Sequence, residues 1–230
     1  MKKMIAAVSL ATLAIAAGAP ASAQFKGSPK NEKPNNSNFQ RLLDSEMLIG
    51  DPAKASQLYA QGGSVGRCIV NIAGSGSAKL LGGPGSADPG YRSLAKAIGG
   101  RFSACSRDSG AVPVQVINYG IAEELVRRGS FASLADRAPS VNVDDASRFQ
   151  GAASGQVTVD SIARCLSVYS PGLVSKVLIT PVRSDAEAAA MQTLYRSSPE
   201  CGLAAVPTSV PIPFQRGELA VALLQWTGKP

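Results

Sequence analysis

Two pairs of cysteines, set at matching places about a hundred residues apart, constrain this chain more than any other feature. Cys68 and Cys105 bracket a stretch that opens Arg67-Cys68-Ile69, and Cys165 and Cys201 bracket one that opens Arg164-Cys165-Leu166. Setting Cys68 on Cys165 also brings Lys79 onto Lys176, Pro84 onto Pro181 and Asp88 onto Asp185. Apolar character recurs in the same register: Val65 with Ile162, Leu80 with Val177, Leu81 with Leu178, Leu94 with Met191. Farther on, after a small change of register, Ile121, Ala122, Leu125 and Val126 meet Leu219, Ala220, Leu223 and Leu224. Repetition at a fixed period governs the fold before any local pattern does. The reading is therefore a duplicated unit.

The compartment follows from the first residues. Met1-Lys2-Lys3 is a positive n-region, an alanine-rich apolar run follows, and Ala21-Ser22-Ala23 is an A-x-A site. Together they predict a secretory signal peptide over residues 1–23, cut between Ala23 and Gln24. The apolar run is shorter than the ~20 residues of a bilayer span and ends at Pro20. No cysteine follows the cut, which argues against a lipid-anchored lipoprotein. The short di-lysine form points to bacterial export, and so to the periplasm or the medium.

Four cysteines in an exported chain read as two disulfides, for which three pairings exist. Duplication favours Cys68–Cys105 and Cys165–Cys201, because each bridge then lies inside one ancestral unit. Closing loops of this length constrains the unfolded chain by about 4 kcal/mol per bridge. Metal or redox chemistry is the rival use of cysteine. Neither pair has C-x-x-C spacing and the chain contains no histidine. No metal and no cofactor are expected.

Residues 24–38 read as a tether: from 26 to 38 there is no apolar residue, so nothing offsets the entropy of ordering. Residues 39–130 and 131–230 are then the two units. Leu42, Leu43, Met47 and Leu48 suit a short amphipathic helix over 39–49. Asp51-Pro52 is a cap followed by proline at the first helical position. That helix is expected to stop at Gly62-Gly63, with Ser64 capping the next. Val65, Cys68, Ile69 and Ile72 then line one helical face, as do Ile162, Cys165, Leu166 and Tyr169. Short apolar pieces at 78–81 and 174–179 follow. Helices after Asp88-Pro89 and from the S-x-x-E box Ser184–Glu187 come next. Stretches 112–119 and 208–214 read as extended, before closing helices over 120–128 and 217–226. Trp226, the single tryptophan, is expected in the core. The fold class is all-α: two tandem copies of a disulfide-stapled multi-helix unit, packed together.

Several motifs invite a catalytic reading. Gly62-Gly63-Ser64-Val65-Gly66 has the G-x-S-x-G form, and Ser93-Leu94-Ala95-Lys96 has the S-x-x-K form. A serine nucleophile needs a base to take its proton, and histidine is absent. The second unit repeats neither serine, and the S-D-N and K-T-G partners of S-x-x-K are missing. The glycine-rich stretch 74–85 lacks the G-K-[ST] ending of a phosphate loop. Lys79 and Lys176 recur among apolar residues, where they can snorkel.

With 23 basic and 16 acidic residues the chain is basic, yet the charges are scattered and aromatics are sparse. This gives no stacking platform for nucleic acid. A protein or an anionic cell-envelope polymer is the expected partner. The expectation is an exported, non-catalytic structural or interaction protein, against the alternative of a small secreted serine hydrolase using Ser64 or Ser93. Small units bury a modest share of their surface. The two are therefore expected to pack on each other, with a ligand groove between them.

Overall fold

The computed structural model describes residues 51–82, 89–107, 112–151 and 158–228. The expected signal peptide, tether and first amphipathic helix lie outside the described residues. Nine α-helices are seen among those described: α1 (Pro52–Ala73), α2 (Pro89–Gly99), α3 (Ser103–Ser106), α4 (Val114–Arg128), α5 (Val143–Gln150), α6 (Val159–Tyr169), α7 (Pro171–Ile179), α8 (Asp185–Arg196) and α9 (Ile212–Thr227). Short 3-10 segments occupy Gly74–Leu80, Phe131–Ser133 and Pro199–Cys201. The described residues contain no strand, and no single helix among them is long and apolar enough to cross a membrane. The class is all-α.

α1 begins as its sequence requires, with the Asp51 carboxylate accepting the Lys54 amide and Pro52 in the first turn. It does not stop at Gly62-Gly63. One helix runs through to Ala73, so Ser64 caps nothing. The glycines serve as a contact surface instead. A Cβ at Gly66 would lie 2.3 Å from the Gly120 carbonyl carbon, and one at Gly62 would lie 2.6 Å from the Val116 carbonyl oxygen. A Cβ at Gly120 would in turn sit 2.3 Å from the Gly62 carbonyl oxygen. α1 and α4 therefore cross backbone to backbone, an approach that a side chain at any of the three positions would prevent. Ile72 departs from the expected face as well. It is 54% exposed, while Val70 is buried in its place, because the chain turns at Ala73 into the 3-10 segment.

The closing helices start earlier than expected. Stretch 112–119 is helical over most of its length, since α4 starts at Val114, whereas 208–211 stays non-helical and only 212–214 joins α9, which starts at Ile212. Pro113 and Pro211 stand immediately before these helices, and Pro213 lies in the first turn of α9. Proline lacks an N–H that the first turn does not use, so it starts a helix as readily as it bars a central strand. In the second half, Asn142 caps α5 and Gly151 ends it at φ 79, while Thr158 and Ser161 form a reciprocal capping box on α6. Ser184 accepts the Glu187 amide as expected, but the Glu187 carboxylate turns to the Arg183 amide rather than completing the box.

α9 is the hub. Every residue from Pro213 to Leu223 is buried, the pattern of a helix surrounded on all sides. The main core draws Tyr59, Val116 and Tyr119 from the first half, and Leu166, Val177 and Leu219 from the second. A second cluster, with Val65, Ile69, Leu94, Phe102 and Ile121, belongs to the first half. Trp226 is half-buried at the edge of a third, its ring centroid 5.2 Å from that of Phe149. Disulfides Cys68–Cys105 and Cys165–Cys201 join α1 to α3 and α6 to the segment Pro199–Cys201, each with Cα atoms 5.6 Å apart. The crossover from α4 to α5 is fastened to the second half. The Ala135 carbonyl accepts the Gly172 amide at 3.0 Å, Lys176 pairs with Asp136, and Arg137 reaches Glu200.

Candidate functional site

Arg216 lies one turn into α9 at a position where its neighbours bury apolar side chains. It is 1% exposed, so its charge has to be answered from within. Glu123 on α4 answers it with both oxygens, at 3.1 and 2.7 Å, and Glu187 on α8 accepts Nη1 at 2.9 Å. The remaining N–H groups point to the carbonyls of Val177, Leu178 and Thr180 where α7 ends. A cation there also meets the negative end of that helix. Tyr59 on α1 donates its hydroxyl to Glu123. Burial alone would make the guanidinium give up its proton more easily. Hydrogen bonding and charge from Glu123, with Tyr59 and Glu187, more than offset this and raise its pKa. Burial, reinforced by Glu123, pushes the Tyr59 phenol well above its usual range. Five helices thus meet around one guanidinium, α1 through the Tyr59–Glu123 hydrogen bond.

A second polar centre joins α4 to α9. Glu218 accepts the Tyr119 hydroxyl at 2.5 Å and the Gln115 amide at 3.1 Å. Burial pushes its carboxyl up to about 7, against the lowering effect of the Tyr119 and Gln115 hydrogen bonds. Gly217 makes the approach feasible, because a Cβ there would stand 2.3 Å from the Tyr119 ring.

Of the first centre, Glu187 alone reaches a cavity of about 710 Å³, whose floor it forms. One wall is the outer face of α8, with Ala188, Met191 and Gln192. The opposite wall is the segment from Ala204 to Pro213, almost entirely alanine, valine, isoleucine and proline. Pro52 and Ser56 of α1 are the first half's contribution to the lining, and the other lining residues belong to the second half. The proline-rich wall is held in place. Tyr195 donates to the Gln215 oxygen at 2.9 Å, and the Gln215 amide donates to the carbonyls of Pro207 at 2.8 Å and Val210 at 2.7 Å. At one lip stands Arg183, the one non-glycine residue with positive φ (64°) among those described. Its amide donates to Glu187 at 2.7 Å, which holds that conformation.

Neither serine singled out in the sequence lines this cavity. Ser64 is exposed on α1. Ser93 is exposed on α2, and its hydroxyl donates to the Pro89 carbonyl at 3.0 Å. Lys96, three residues on, is also exposed. Lys79 is exposed, while Lys176 pairs with Asp136 at 2.8 Å. The four cysteines are all in disulfides. The loops expected to shape the groove, 74–79 and 171–176, do not line it. What the sequence reading missed is the set Arg216, Glu123, Glu218, Tyr59 and the wall 204–213. The available signal was charge at helix positions flanked by apolar residues, as in Pro213-Phe214-Gln215-Arg216-Gly217-Glu218-Leu219.

No protein-family model, no curated protein and no solved structure matches the chain.

Proposed function

We propose that the chain is an exported, non-catalytic binding protein built from a duplicated, disulfide-stapled helical unit. The observation that carries the binding reading is the composition of the cavity. Its walls are apolar but for Thr208 and Gln192, and its one carboxylate, Glu187, is neutralised by Arg216. A catalytic cleft brings a nucleophile and a base within hydrogen-bond reach. In this lining the Ser56 hydroxyl donates to the Pro52 carbonyl at 2.8 Å. A preformed, largely apolar cavity of this volume is the usual form of a ligand site.

Duplication is supported by matched pairs in matched surroundings. Val65 and Ile162, Ile69 and Leu166, Leu94 and Met191, and Ile121 and Leu219 are all buried. In each half a disulfide ties the cysteine-bearing helix to the segment after the next long helix. Export fits two disulfides, which persist in oxidising compartments. A signal peptide over residues 1–23, cut after Ala23, remains part of the proposal.

The test is a screen of the purified mature protein against short-chain esters and β-lactams, beside the Ser64→Ala and Ser93→Ala variants. The expected outcome is no turnover by any of the three. Turnover abolished by either substitution would establish the serine hydrolase instead.

A further inference from the structure

Resting on the binding reading above, we propose that the cavity takes an acyl-chain amphiphile with an anionic head, the chain lying along α8 and the head at Arg183. Three observations point to this class. The first is the shortage of hydrogen-bonding groups. Pro207, Pro211 and Pro213 have no N–H to offer. The carbonyls of Pro207 and Val210 are already taken by Gln215, and the Ser56 hydroxyl by Pro52. Of the uncharged side chains only the Thr208 hydroxyl and the Gln192 amide remain to meet a ligand, so a sugar, a nucleotide or an extended peptide would bury most of its polar groups against this wall without partners, at a cost of roughly 1–3 kcal/mol each. A methylene chain has none to satisfy.

The second observation is shape. α8 has 12 residues and is therefore about 18 Å long. The groove follows it from Arg183 at one end to Arg196 at the other. Such a slot suits a linear chain. Its walls are set in advance by the Tyr195–Gln215 hydrogen bond and the prolines, so little ordering entropy opposes binding.

The third is charge. Arg183 and Arg196 are exposed, and neither forms an ion pair among the described residues, whereas Glu187 in the floor is neutralised by Arg216. The two arginines are not equivalent. Arg183 precedes the N-terminus of α8, where the helix favours an anion; Arg196 lies in its last turn, where the helix disfavours one. Asp185, in the first turn, is exposed and outside the lining. Arg183 is also held in a left-handed conformation by Glu187. Strain of this kind is kept where a side chain has to stand in one place. The head belongs at Arg183.

The experiment is isothermal titration calorimetry of the mature protein with dodecanoate, dodecanol and dodecyltrimethylammonium, each kept below its micelle concentration. Dodecanoate should bind one to one, dodecanol roughly tenfold more weakly for want of the charged hydrogen bond, and the cation more weakly still. Arg183→Gln should remove most of the preference of dodecanoate over dodecanol, and Arg92→Gln, on the exposed face of α2, should leave it intact. Ala188→Trp, which fills the slot from an exposed helix position, should abolish binding of all three. Equal binding of the three amphiphiles, unmoved by Arg183→Gln, would overturn the proposal and mark detergent-like adsorption. Binding seen only after Leu42→Asp and Leu43→Asp would also overturn it, and would assign the groove to the chain's own segment 39–50. Silence with every ligand, joined to absence of ester turnover, sinks the ligand class and leaves the non-catalytic reading standing.

Discussion

Arg216 illustrates how a single residue can be both necessary and replaceable. Its charge is buried with two carboxylates and three carbonyls, and the desolvation of such a set largely cancels its attraction. Removing only the guanidinium leaves Glu123 and Glu187 uncompensated. Arg216→Met should therefore cost about 3–5 kcal/mol in urea unfolding. Adding Glu123→Gln and Glu187→Gln should recover most of the loss; failure to recover would mean that Arg216 acts through packing rather than charge. Glu218 makes a second prediction, with a definite sign. Its folded pKa, about 7, lies above the ordinary carboxyl value, so the folded state holds its proton more tightly than the unfolded chain. The stabilisation is complete below the unfolded pKa and is lost as pH rises through about 7. Chemical unfolding from pH 4.5 to 8 should show a loss on the order of 3 kcal/mol from this group. Glu218→Gln should flatten that part of the profile, and an unchanged slope would assign it elsewhere.

Among the elements, α1 and its glycines give the sharpest contrast. A Cβ at Gly66 or Gly120 would meet backbone at 2.3 Å, while one at Gly63 meets nothing within 4 Å. Gly66→Ala and Gly120→Ala should destabilise by about 1–3 kcal/mol, the usual penalty of overpacking. Gly63→Ala should stabilise by roughly 0.5–1 kcal/mol, since it removes only the entropic cost of glycine in a helix. Thermal melts of the three variants decide whether the crossing is as close as described. The same helix shows where sequence was legible and where it was not. Periodicity placed Val65, Ile69, Ile162 and Leu166 in the core, and the spacing of the cysteines is met by the bridges observed. Those signals are local or repeated. Gly62-Gly63 reads alike as a helix stop and as a helix crossing, because the partner, Gly120, is more than fifty residues away. Pro113 and Pro211 likewise bar a central strand and open a helix with equal ease, and only the packing of α4 and α9 decides. The groove was expected between the halves, whereas the cavity draws only Pro52 and Ser56 from the first. Its wall, 204–213, has no periodicity to read, and its rigidity comes from Gln215, a side chain whose hydrogen bonds no sequence pattern shows.

For the whole molecule, the question is whether two halves stapled internally can stand alone. Both disulfides lie within a half, so no covalent bridge spans the joint. What spans it is apolar contact and charge. Tyr59, Val116 and Tyr119 pack in the same core as Leu166, Val177 and Leu219, and Arg216 of the second half reaches Glu123 of the first. Splitting the chain would expose that core and leave Arg216 and Glu123 each short of a partner. The first half keeps a cluster of its own around Ile69, Leu94 and Ile121. The second half keeps the crossover, fastened through Ala135, Asp136 and Arg137. Each fragment would thus hold its bridge and some helix without reaching the density of a finished core, the condition in which small domains are marginal. Residues 39–130 and 131–230, expressed apart, should each show helical circular dichroism but broad, weakly cooperative melts. Mixed, they should associate and regain one sharp transition. Two fragments that melt as sharply as the intact protein, with no affinity for each other, would mean that the shared core adds nothing to stability.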